Sequence, residues 1–126
     1  MKFEHRTPVI YYSSMEDIKA EIENIEIETI QKRFPEYNIL NSRKMFDNEE
    51  EWSDRINSII ETVDVIIFSC INECKEGFLL SEKYDLELNI AIKNKKVICV
   101  ISRNKIKLIS NSNWVNTAIQ TIKQRR

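Results

Sequence analysis

Two short β-branched runs with a helix-length segment between them limit the possible folds of this chain more than any other feature. Val63-Asp64-Val65-Ile66-Ile67-Phe68 and Lys96-Val97-Ile98-Cys99-Val100-Ile101 are each apolar enough to be a buried strand. Between them, Leu79 to Lys93 carries apolar residues at 79, 80, 84, 86, 88, 90, 91 and 92, which predicts a helix over 78–93 with a broad apolar face. Strand, helix and strand in about 40 residues reads as a βαβ crossover, and such units pair their strands in parallel within a sheet covered on both faces. Ligands of such sheets bind outside the carboxyl ends of the strands. The loop from Ser69 to Gly77 and the first turn of the following helix therefore line a candidate site, which is where Glu82, Asp85 and Glu87 lie.

The rest of the chain repeats the alternation. Pro8-Val9-Ile10-Tyr11-Tyr12 predicts a first strand in the middle of the sheet. Ser14 is a candidate N-cap with Asp17 three residues on, and apolar residues at 18, 22, 25, 30 and 34 mark a helical face that Pro35 ends. Tyr37 to Asn41 predicts a second strand, and Ser42 to Glu51 a polar loop over the mouth of the sheet. Trp52, Ile56, Ile59, Ile60 and Val63 have helical spacing. After residue 101, Ile106 to Ile109 predicts a short edge strand, and Trp114 to Lys123 a closing helix. The sum is an α/β sandwich with a mostly parallel sheet of four or five strands.

Composition removes several classes of function. The 126 residues form a single domain, 1–126, long enough to bury a core. With 19 basic and 20 acidic residues the chain has no charge bias toward nucleic acid or an anionic membrane. The basic end, Lys123 to Arg126, reads as a solvated tail. Glycine occurs once, at position 77, which rules out both a dinucleotide fingerprint and a P-loop. Three cysteines, two of them in apolar runs, fit a reduced cytoplasmic protein. Cys70 and Cys74 with one distant histidine, His5, do not make a metal site, and no cofactor is expected. Neither a signal peptide nor an apolar run near 18 residues is present in the sequence, so no membrane partner is expected.

Three local patterns occur in one order: Ile10-Tyr11-Tyr12-Ser13-Ser14-Met15 and Phe34-Pro35 ahead of Ile39-Leu40-Asn41 are the first two. The third is Asp64 before Val65-Ile66-Ile67-Phe68, then Gly77, then Glu87-x3-Ala91 ahead of Lys95-Lys96-Val97-Ile98. Across residues 8–101 this arrangement resembles the nucleoside 2-deoxyribosyltransferase-like superfamily. The resemblance implies a flavodoxin-like, three-layer sandwich, a nucleoside or nucleotide as small-molecule partner, and a homodimer or larger homo-oligomer. It also implies a mechanism, cleavage or transfer at the N-glycosidic bond through a covalent glycosyl-enzyme. By position, Glu87 is then the nucleophile, Tyr11 its orienting hydroxyl and Asp54 the nearest candidate for an assisting acid. Ser13, Ser14, Asp64 and Gly77 are the substrate-binding candidates. The sequence departs from the family where Gly77 lies ten residues before Glu87, where Asn89 replaces a second glycine, and where Ser13-Ser14 replaces Gly-Pro.

The same residues have plainer readings. Glu87 and Asp54 can be solvated helix surface, Asp64 a turn or cap residue at the start of its strand, and Tyr11 a core aromatic. Tyr12 points to the opposite face from Tyr11, toward packing under a helix. Ser13 and Ser14 fit an ordinary helix cap or a phosphate contact. Beside the enzyme stands a non-catalytic nucleotide-binding or sensing module using the same crevice. A receiver-like interaction domain is weaker, since Ser13-Ser14 and Ser69-Cys70 stand where its acidic residues belong.

Overall fold

The computed structural model describes residues 7–15, 18–46, 48–70, 72–74, 77–79 and 84–109. In chain order its elements are β1 (Val9–Ser13), α1 (Ala20–Arg33), β2 (Asn38–Asn41), α2 (Ser42–Met45), α3 (Glu49–Thr62), β3 (Val65–Ser69), β4 (Asn72–Cys74), β5 (Gly77–Leu79), α4 (Asp85–Lys93), β6 (Val97–Ser102) and β7 (Lys105–Leu108). A five-stranded sheet has the order β2-β1-β3-β6-β7. Its first four strands are parallel, and β7 returns antiparallel beside β6. The mostly parallel α/β architecture agrees with the expected strands to within one or two residues at each end, and is consistent with a flavodoxin-like fold.

The direction of the chain explains which helix covers which face. From β1 the chain steps one way to β2, then crosses back to β3 and continues outward to β6. Crossovers of one hand that reverse direction fall on opposite faces of the sheet. Ile10, Tyr12, Val65, Ile67, Cys99 and Ile101 accordingly cluster with Ile30 of α1. Tyr11, Ile66, Phe68, Ile98 and Val100 cluster with Ile56 and Ile60 of α3 and with Leu88 and Ala91 of α4. Strand β3 is buried along its whole length, as its unbroken apolar run requires.

Three boundaries differ from expectation. The helix over 78–93 is corrected to Asp85–Lys93, because Gly77–Leu79 pairs antiparallel with Asn72–Cys74 in a small hairpin within the crossover. A short apolar run such as Phe78-Leu79 fits strand and helix equally well, so periodicity alone misassigns it. The loop over 42–51 is corrected too, since it holds α2 and the first turn of α3. Asn48 caps that turn, its Oδ1 accepting from the Glu51 N–H at 2.8 Å, and the acidic run beginning there suits a helix N-terminus. Ser14 is not the cap of α1, which starts after an extended Lys19 with no side-chain cap bond.

The buried side of α1 is also unexpected. Ile25, placed on the apolar face by spacing, is 42 % exposed, whereas Glu23 and Glu26 are buried. The predicted helix over 114–123, His5, Glu82 and the basic tail lie outside the described residues. Among the described residues no helix is long and apolar enough to cross a membrane. Cys70 and Cys99 are buried thiols on opposite sheet faces, and burial pushes the Cys99 thiol up to about 11.

Candidate active site

Strands β1 and β3 are neighbours, but the connections that follow them leave in opposite directions. This is the switch point of the sheet, where the loops part and leave a crevice at the carboxyl ends. Ser13 ends β1 and Ser69 ends β3. Side chains at alternate positions share a face, so Tyr11 and Ser13 both project toward α3 and α4. Opposite them, the first turn of α4 carries Glu87.

The three side chains meet. The Tyr11 hydroxyl donates to Glu87 Oε2, and the Ser13 hydroxyl donates to Glu87 Oε1 at 2.6 Å. Trp52 of α3 lies beside Glu87 and Tyr11, and Ser42 at the start of α2 beside Tyr11, close enough for each to favour the ionised form of its neighbour. Glu87 is 2 % exposed. Burial pushes its carboxyl above the usual carboxylate range, and the bonds from Ser13 and Tyr11, with Trp52 beside them, pull it part of the way back. Burial, reinforced by the charge of Glu87, keeps Tyr11 protonated far beyond the ordinary tyrosine range. Tyr11 therefore acts as a fixed donor, which fits a hydroxyl that orients a carboxylate.

Other candidates fall elsewhere. Asp54 is exposed on α3, and the structure does not bring it to Glu87. Asp64 lies at the amino end of β3, the opposite edge of the sheet, where its Oδ2 accepts from the Val9 N–H at 2.8 Å. That bond fixes where β1 begins, which is a turn-and-register role. Gly77 belongs to the crossover hairpin. Ser14 stands next to the cluster. Its N–H donates to Ser42 Oγ at 3.4 Å, and its own buried Oγ has no partner among the described residues. Among the described residues, no cluster of histidine, cysteine and carboxylate side chains could hold a metal ion.

Two contributors were not anticipated. Trp52 reads in the sequence as a helix core residue; it is partly buried against the cluster, with its ring beside Glu87 and Tyr11. The second is a mirror arrangement on the other face. The Tyr12 hydroxyl donates to Glu26 Oε1 at 2.7 Å, Ser69 Oγ donates to the same oxygen at 2.5 Å, and the Arg103 N–H donates to Oε2 at 2.8 Å. Glu26 is 1 % exposed, and burial raises its carboxyl in the same sense as Glu87. Only the tyrosine pair in adjacent positions hints at this in the sequence. No family model, no curated protein and no solved structure matches this chain.

Proposed function

We propose that the chain is a nucleoside or nucleotide N-glycosidase or deoxyribosyltransferase of the cytoplasm, with a flavodoxin-like three-layer sandwich and Glu87 as nucleophile. One observation carries this reading: a buried glutamate at the switch-point crevice, held by a tyrosine and a serine hydroxyl from the central strand. A carboxylate suits attack at an anomeric carbon because the transition state resembles an oxocarbenium ion, which a nearby anion both stabilises and captures. Held by Tyr11 and Ser13, Glu87 keeps a fixed direction of attack and loses little entropy on reaction.

In the first step a Glu87 oxygen bonds to C1′ as the C1′–N bond breaks. The base leaves with the electron pair and takes a proton from water. In the second step water or an acceptor base attacks C1′, gives up its proton, and releases Glu87 as carboxylate. The donors must weaken their hold on the attacking oxygen during the first step and recover it in the second. Tyr11 and Ser13 bind different oxygens of Glu87, so either can stay bonded while the other oxygen reacts.

The position of Asp54 favours a second reading. With that acid exposed on α3, none of the hydrogen-bond partners named for Glu87 is an acid, and a binding module without turnover would need none. Base release from a panel of deoxynucleosides and their 5′-monophosphates, with and without an acceptor base, separates the two. Release by the wild type that disappears in Glu87→Gln supports the enzyme. Saturable binding with no release supports the module.

A further inference from the structure

One residue makes hydrogen bonds on both faces of the sheet. Ser69, the last residue of β3, uses its hydroxyl on one face and its carbonyl on the other. Its Oγ donates to Glu26 of α1, and its carbonyl accepts from the Tyr84 hydroxyl at 2.8 Å. Tyr84 is 3 % exposed and directly precedes α4, and its ring packs on Phe68 with centroids 5.0 Å apart. Glu87 follows three residues later, less than one helical turn away. A continuous path of directional contacts thus runs from Glu26 through Ser69 and Tyr84 to the first turn of α4.

Glu26 is built to hold that path still. Its three donors come from three different places: Tyr12 of β1, Ser69 of β3 and the Arg103 N–H in the turn between β6 and β7. These strands are consecutive neighbours in the sheet. One buried carboxylate therefore ties the carboxyl ends of three adjacent strands, and two of them, β1 and β3, form the crevice at which Glu87 sits. Arg103 adopts a left-handed backbone, φ 55°, as the first central residue of the two-residue turn that joins β6 to β7, and the same turn aims its N–H at Glu26.

We propose that Glu26 is a positioning residue for Glu87: through Ser69 and Tyr84 it seats the first turn of α4 from the far side of the sheet. The consequence for turnover rests on the nucleophile role proposed for Glu87, whereas the seating of α4 does not. Helix α3 supplies the internal control, since it packs on the same face as α4 but receives no hydrogen bond from Ser69 or Tyr84 among the contacts described.

Amide hydrogen exchange in the full chain reads the seating directly, without any assay of activity. Ser69→Ala cuts the path at its middle while leaving the backbone carbonyl in place. Exchange at residues 90–93 of α4 is expected to quicken by about tenfold relative to residues 56–60 of α3, the size expected for one lost buried hydrogen bond. Tyr84→Phe, which cuts the next link, should give the same selective change, and the double variant should show less than the product of the two effects. Ser69→Thr keeps the hydroxyl and should restore the wild-type pattern. Equal quickening of α3 and α4, no change in α4, or no rescue by threonine would overturn the proposal. If the protein also turns over substrate, Ser69→Ala should lower kcat and leave KM nearly unchanged, because Ser69 acts through α4. Absence of turnover would refute the nucleophile role of Glu87 and leave the exchange result standing.

Discussion

The two carboxylates on either side of the sheet have nearly the same chemistry and different surroundings. Tyr11 and Tyr12 are consecutive in β1, point to opposite faces, and each gives its hydroxyl to a buried glutamate on a helix. A strand serine completes each pair, Ser13 for Glu87 and Ser69 for Glu26. The third partner differs. Glu26 takes a backbone N–H, which is fixed by the fold, whereas Glu87 has the side chain of Trp52 beside it. Glu26 is thus bound into the hydrogen bonding of three strands, while Glu87 is held by two side chains of β1 at the carboxyl end of the sheet. Burial of a glutamate is therefore no sign of catalysis by itself; the kind of donor and the place in the topology distinguish a structural tie from a candidate nucleophile.

The largest contrast is expected between Glu87→Gln and Glu26→Gln. Loss of a covalent nucleophile costs on the order of 10³-fold or more in turnover, so Glu87→Gln should abolish base release while the protein remains folded. Glu26→Gln presents an amide to three donors and should instead lower unfolding free energy by about 1–3 kcal/mol, read from urea midpoints. If the two variants exchanged these phenotypes, the assignment of roles would be reversed.

Proton linkage sharpens the comparison next. Both carboxyls are raised by burial, so the folded protein holds protons that the unfolded chain has already released. Their contribution to stability is fully present below the ordinary glutamate range and is lost as pH rises through the raised values. Urea midpoints should therefore fall on this count as pH increases across that window, and Glu26→Gln should flatten part of the slope. Turnover should move the opposite way, because the proposed attack needs ionised Glu87. Its acid limb should lie above the ordinary carboxylate range in a pH profile of kcat/KM, which reports the free protein.

Smaller effects separate the two tyrosines. Tyr11→Phe removes a bond to the proposed nucleophile worth about 1–2 kcal/mol, roughly tenfold in kcat. Tyr12→Phe should take a similar amount from stability, with any loss of turnover smaller than that of Tyr11→Phe. Smallest of all is Asp54→Asn, expected to leave stability within about 0.5 kcal/mol and base release near wild type, since the side chain is exposed on α3. A hundredfold loss in that variant would put Asp54 in the chemistry.

Legibility in the sequence followed the same divide. The runs at 63–68 and 96–101 declare a parallel core because a strand buried on both faces has no polar positions to spare. In the sequence, Tyr11 and Glu87 come together only through the family resemblance, with Ser13 as a substrate-binding candidate; the structure shows all three meeting because alternation in β1 and the crossover helix place them at one end of one face. Glu26 stayed hidden because it occupies a buried position of α1 that apolar spacing assigns to isoleucine, while Ile25 faces solvent. Periodicity counts hydrophobes, and a buried carboxylate whose donors come from distant strands is invisible to it. The crossover hairpin was lost for a related reason, since three-residue strands carry too little pattern to compete with a helical reading.

The central claim is that Glu87 forms the bond to the sugar. A deoxynucleoside analogue with fluorine at C2′ slows both steps by destabilising the oxocarbenium-like transition state, and a good leaving base lets the first outrun the second. Wild-type protein incubated with such an analogue, acid-quenched and mapped by peptide mass spectrometry, should carry one fluorosugar on the peptide containing Glu87 and none in Glu87→Gln. Saturable binding of the analogue with no adduct and no base release, or an adduct on another carboxylate, would contradict the account.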